Sequence, residues 1–181
     1  MTIRICCALI CALVVFLPLD HGATPGTSQQ CLPIAPEQLV AALTATYPKY
    51  RLLQLSDLNA DDQGIWQASY HNACPGLVSG QFTEKKPGYA ALLVPTNSSV
   101  RATLVVLLQS GNKVVQRKIF EEPHVGNYPV LRSAPPGVYE DIEQNTKIRV
   151  TNDVVILEHL ESSTVGIALV QGKIRRLTLS D

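Results

Sequence analysis

The sequence is short of the residue groupings that announce common chemistries. Of its four His, three (His71, His124 and His159) lie beyond residue 23 and far apart, and nothing reads H-E-x-x-H, so the spacing of a zinc hydrolase is missing. No G-x-S-x-G surrounds Ser162 or Ser163, which therefore lack the sharp elbow that exposes a serine nucleophile. A surplus of either charge is also missing: 15 Lys and Arg stand against 15 Asp and Glu. With no excess cation to neutralise phosphates, nucleic acid is a poor partner. No cofactor motif is present, and no cofactor is expected.

Long apolar runs are absent too. The uncharged apolar run from Ile5 to Leu19 spans 15 residues, short of the roughly 18 that a membrane-spanning helix needs. It follows Arg4 and contains Pro18, which is the pattern of a secretory signal. Residues 1–23 are read as that signal, with cleavage near Ala23, and the product as periplasmic or secreted. Retention of the segment as an anchor is the alternative; after cleavage no stable membrane span is left. No suitable run of small residues precedes Cys31, so lipid attachment is not expected.

Cleavage removes Cys6, Cys7 and Cys11 and leaves Cys31 and Cys74, an even pair in an oxidising compartment, where thiols are normally joined. One disulfide is expected, worth about 4 kcal/mol on the chain-entropy estimate. Neither Cys has a second Cys or His at ligand spacing, so a metal site on the pair is disfavoured.

Residues 24–30 are small and polar and read as a flexible lead-in; residues 31–181 read as a single α+β domain. Pro36-Glu37 opens a helix whose Leu39, Leu43 and Tyr47 share one face, and Pro48 stops it. A strand is expected over Tyr50 to Leu55 and a second helix over Asp61 to His71, weakened by Gly64. Asp57, Asn59 and Asp61 alternate as in a calcium loop, but position six is Asp62 where Gly belongs and position twelve is Ala68 where Glu belongs. Helix capping accounts for these acids.

Strands follow at Leu77 to Phe82, Tyr89 to Thr96, Arg101 to Gln109 and Lys113 to Phe120. The runs AALLV and TLVVLL lack alternation, so they are expected to be central strands covered on both faces, whereas 113–120 alternates and lies nearer an edge. Glu121 to Tyr139, holding Pro123, Pro129, Pro135 and Pro136, reads as irregular and as the possible binding loop, with His124, Tyr128 and Tyr139 as candidate contact residues. Strands at Lys147 to Val150, Val154 to His159, Thr164 to Val170 and Lys173 to Leu179 form a meander with a turn at Gln171-Gly172. The expected fold is α+β, two N-terminal helices packed on an antiparallel sheet of about seven to eight strands.

The stretches CPGLVSGQF and YAALLV, the later APPGVYE, and the closing ESS, QGK and SD resemble a family of exported bacterial proteins that carries CPG, G-x-F, Y-A-x-L-L-V and PPG signatures. Some members are similar, in a G-D-F-x-G-D-G turn, to the calcium loops of FG-GAP repeats. Here Gln81 stands for the first Asp, and Thr83, Lys85 and Gly88 occupy the other carboxylate positions, so the resemblance does not imply metal binding. It implies no activity either.

The leading functional reading is an exported, non-catalytic binding module that contacts a protein or cell-envelope component. One alternative is a periplasmic inhibitor or immunity protein against a cell-wall-cleaving enzyme. Another is a hydrolase whose site is assembled from distant residues such as His124, Glu158 and Ser162. Glu158 and Glu161 are expected to face opposite sides, which disfavours a glycosidic acid pair. Lys85 and Lys86 read as a solvated turn tip, and Arg175 and Arg176 as charges that blunt an edge strand. Thiol titration of the mature chain, denatured without reductant, is expected to find no free sulfhydryl; two per molecule would overturn the disulfide reading.

Overall fold

The computed structural model describes residues 31, 36–71, 73–83, 86–97, 102–109, 115–123 and 127–180. The signal and lead-in readings, His124 and Lys85 lie outside them, as does Gly111-Asn112, a pair that in sequence reads as a tight turn. Helix α1, Glu37–Thr46, begins one residue later than expected, because Pro36 has an extended ψ of 131° and flanks the helix without joining it. Its Leu39 and Leu43 are buried. Strand β1 covers only Tyr50–Leu52. The strand expected to reach Leu55 ends early, and Leu55 instead opens a single 3₁₀ turn, Leu55–Asp57, because the Asp57 carboxylate accepts from the Gln54 N–H at 2.8 Å and curls the chain out of extended pairing. Helix α2, Ala60–Tyr70, is capped by Asn59, whose side chain accepts from the Asp62 N–H at 2.9 Å.

The remaining strands are β2 (Leu77–Thr83), β3 (Lys86–Pro95), β4 (Ala102–Gln109), β5 (Val115–Pro123), β6 (Val130–Ala134), β7 (Gly137–Asp141), β8 (Thr146–Val150), β9 (Val154–Glu158), β10 (Thr164–Val170) and β11 (Lys173–Ser180). In sheet A, β3 pairs with β4 and β4 with β5, while β1 and β2 share the other side of β3. Sheet B runs β11-β10-β9-β6, and β7-β8 is a separate hairpin. The α+β class stands, with antiparallel pairing in each sheet, but about seven to eight strands in one sheet is corrected to eleven strands in three among the described residues. Much of the difference is β6 and β7, which occupy the segment read as irregular. Pro129, Pro135 and Pro136 fall just outside these strands, where a missing N–H costs no ladder bond.

Four layers result: α1, sheet A, sheet B and the β7-β8 hairpin. Ala90, Leu92, Val94, Val105 and Leu107 of sheet A meet Val155, Leu157, Val165 and Ile167 of sheet B in the central core, into which α2 inserts Trp66. The alternate residues Ala91, Leu93, Leu104, Val106 and Leu108 face α1. On the far side of sheet B, Val154, Ile156 and Ala168 pack against Tyr139 and Ile148 of the hairpin. β3, β4 and β9 are apolar on both faces because each has a layer on either side. The β10-β11 turn is made by Gln171 and Gly172, with φ of 52° and 74°, the two left-handed residues that a tight hairpin of matching twist requires. Among the described residues no helix is long and apolar enough to cross a membrane.

The layers meet at Cys74-Pro75-Gly76, which is buried throughout. Cys74 is joined to Cys31 by a disulfide, with Cα atoms 5.0 Å apart. The Pro75 carbonyl accepts from Leu131 N–H of sheet B at 2.7 Å, and the Gly76 carbonyl from Leu92 N–H of sheet A at 2.8 Å. A Cβ at Gly76 would lie 2.9 Å from the Leu53 Cβ and closer still to the Leu53 carbonyl oxygen. That oxygen belongs to backbone and has nowhere to go, since the Leu53 N–H donates to Leu92 at 3.0 Å. Gly76→Ala is therefore expected to destabilise the chain by about 1–3 kcal/mol, the usual cost of overpacking, with a lower midpoint in urea as the measurement.

Candidate functional site

Among the described residues, α1 packs on the outer face of sheet A. Leu52 of β1, Leu77 of β2, Leu93 of β3 and Leu108 of β4 project from it toward Leu39 and Leu43 of α1, and between helix and sheet lies a cleft of about 550 Å³. These six leucines are only 0–8% exposed. The leucines of the cleft therefore present little surface to water. A concave, chiefly apolar hollow with a few polar groups at its edge is the usual form of a small-molecule site.

The polar edge is built by the β1 turn. Arg51 Nη1 and Nη2 donate to the two carboxylate oxygens of Asp57, each at 2.6 Å, a bidentate pair of the strong kind. The hydrogen bond to Asp57 raises the Arg51 pKa, so the guanidinium stays charged and stays occupied. Tyr50, on the opposite face of β1 from Arg51, packs on the α1 side of sheet A with its ring edge-on to Tyr47 at 6.5 Å between centroids. Its phenol pKa is raised, first by burial and then by the nearby Glu121 carboxylate, with Lys118 opposing. Lys118 and Glu121 are themselves joined at 2.6 Å. Two ion pairs, Arg51 with Asp57 and Lys118 with Glu121, thus lie on or near β1.

The residues singled out from sequence are dispersed. Cys31 and Cys74 are bonded and tie the segment ahead of α1 to the start of β2. Tyr128 packs partly buried against the central core, whereas Tyr139 packs on the opposite side of sheet B and its hydroxyl donates to the Pro135 carbonyl. Glu158 is paired with Arg132 at 2.5 Å, and that guanidinium also lies 5.5 Å from the centroid of the Tyr70 ring. The Ser162 hydroxyl donates to the His159 carbonyl at 3.2 Å, so it meets the backbone of that residue and not its imidazole. His159 sits in the turn after β9, not within the strand as expected, because its N–H donates to Ser163 across the turn; its Nε2 is 3.6 Å from Glu122. His71 ends α2 with a φ of 51°. Asp57 and Asp62, read from sequence as capping acids, are engaged by Arg51 and by Asn59. Among the described residues no group of three or more His, Cys, Asp or Glu converges as metal ligands.

Sequence reasoning missed the cleft. The two-faced strands imply a layer over each side of sheet A, and the Leu39/Leu43 stripe implies that α1 supplies one. Neither tells that a cleft remains between the ten-residue helix and the sheet. No family model, no curated protein and no solved structure matches the chain.

The raised phenols have a pH consequence. Tyr139 is also shifted up, mainly by burial and then by Asp153. A phenol whose folded pKa exceeds its unfolded value of 10.0 supports folding fully below that value, and the support is lost as pH rises through the folded one. Stability is expected to be flat in this term up to about pH 10 and to fall above it. Absorbance titration at 295 nm should show the late-ionising phenols, and Tyr50→Phe should remove one of them.

Proposed function

We propose that the chain is an exported, non-catalytic binding module that takes its ligand in the cleft between α1 and sheet A. The cleft itself carries the reading: an apolar hollow of ligand size whose charged edge groups are engaged with each other. Export rests on the signal-like run before Asp20 and accords with the Cys31–Cys74 disulfide, a bond of oxidising compartments. The hydrolase alternative has less behind it, since Glu158 and Ser162 are both spent on structural contacts and a nucleophile needs a base within reach. The inhibitor or immunity alternative draws on a separate observation. Val138 and Ile142, at 58% and 43% exposure, stand out on the β7-β8 hairpin, where a protein contact would bury them.

The oxidised mature chain is expected to bind the neutral dye Nile red at one saturable site per molecule, with a rise in Tm, and to turn over nothing in a panel of ester, amide and glycoside substrates. Turnover abolished by Ser162→Ala or Glu158→Gln would overturn the reading in favour of the hydrolase. Failure to bind dye, with Val138→Asp abolishing inhibition of a wall-cleaving enzyme, would overturn it in favour of the inhibitor.

A further inference from the structure

We propose that two copies of the chain pair edge to edge along β5, antiparallel, about a twofold axis that passes between Ile119 and Phe120. The inference is independent of what the cleft holds. Among the described residues β5 has a neighbouring strand on one side only, β4, and no backbone hydrogen bond leaves its other margin. Such an edge is a template for another strand. Edge strands are usually guarded by their charges, because a second strand would set like against like. β5 is not guarded in that way. Its charges run Arg117, Lys118 and then Glu121, Glu122, and an antiparallel copy meets that order reversed. With Ile119 opposite the partner's Phe120, Arg117 falls opposite the partner's Glu122 and Lys118 opposite the partner's Glu121. Each pair occurs twice by symmetry.

These charges meet only if each pair lies on one face of the extended sheet. In a regular strand, residues three or five apart lie on opposite faces, and a twofold axis perpendicular to the sheet would keep them there. β5 is not regular. Its ladder with β4 pairs Arg117 with Leu107 and Lys118 with Val106, then shifts, and continues with Phe120 on Val105, Glu121 on Leu104 and Glu122 on Thr103. Ile119 is thus the extra residue of a β-bulge. Paired residues share a face; Val105 and Leu107 face the central core, whereas Leu104 and Val106 face α1. The bulge therefore puts Arg117 and Glu122 together on the core side and Lys118 and Glu121 together on the α1 side. Two contacts agree with this: Glu122 lies 3.6 Å from His159, in the turn after β9, and Arg176 of β11 lies 5.4 Å from the centroid of the Phe120 ring. The register that complements all four charges is the one that the bulge allows both faces to keep.

The side chains are available for it. Arg117 is exposed and has no carboxylate partner among the described residues. Lys118 and Glu121 are joined within the chain at 2.6 Å, but both are about half exposed, so that pair is exchanged for an intermolecular one at little cost. Glu122 and His159 are too far apart for a hydrogen bond.

The test inverts the charges one at a time. Sedimentation velocity of the oxidised mature chain at low salt, from about 10 µM to about 1 mM, is expected to show a monomer–dimer equilibrium, as suits a contact of one strand per copy. Arg117→Glu and Glu122→Arg, each alone, set like charges opposite each other twice and should each weaken dimerisation at least about tenfold. Mixed in equal amounts, the two variants should recover it, because each supplies the charge that the other lacks; a defect in folding is not repaired by mixing. Should either variant fail to fold by circular dichroism, Lys118→Glu and Glu121→Lys serve the same mixing test on the α1 side. A native chain that sediments as a monomer across the whole range would overturn the proposal. Undiminished dimerisation of both single variants would overturn the β5 location, and dimers lost in each variant but not recovered on mixing would overturn the register.

Discussion

Everything in this molecule passes through Cys74-Pro75-Gly76. Three consecutive residues hold the segment before α1 by a disulfide, sheet B by the Pro75 carbonyl and sheet A by the Gly76 carbonyl. The tripeptide has almost no freedom, because Gly76 is pressed against the Leu53 backbone where no side chain fits. Buried backbone groups must find partners, and here the partners belong to different layers, so satisfying them also sets how the layers stack. A 43-residue separation between the two Cys means that one covalent bond draws α1, β1 and α2 into a closed loop around the same point.

Much of this arrangement was legible beforehand, and for identifiable reasons. AALLV and TLVVLL announced strands covered on both sides because their apolar residues do not alternate, and β3 and β4 prove to be sandwiched between α1 and sheet B. Cys31 and Cys74 were the only two left after a plausible cleavage. Gln171-Gly172 marked its hairpin through turn chemistry that is local to two residues. What stayed hidden was non-local. β6 and β7 lie among prolines that mimic a loop, and β6 is held in sheet B by β9, more than twenty residues away. The division into two facing sheets and a hairpin depends on which strands find each other, and a single sequence does not print that.

The candidate site was hidden for a related reason. A cleft is a shortfall of covering atoms, and the leucines that line it are indistinguishable in sequence from leucines that touch a neighbour. Arg51 and Asp57 lie six residues apart on a strand and a 3₁₀ turn, and only the curl at Leu55–Asp57 brings their heads together. The prominent candidates of the sequence, Tyr128, Tyr139, Glu158 and Ser162, turn out to be occupied with packing, ion pairing or turn formation. Conspicuous residue types drew notice, whereas the site is made from ordinary ones in an unusual place.

The two sheets are clasped unequally. Along β2 they are laced together by Pro75 with Leu131 and by the reciprocal bonds of Gln81 with Asp153. Along β5 and β11 the described contacts are between side chains, Arg176 over the Phe120 ring and His159 near Glu122. The molecule is built like a book, with its spine on the β2 and β6 margin and its fore-edge along β5 and β11. Among the described residues the fore-edge has no backbone bond between the sheets, so that margin costs less to part than the spine.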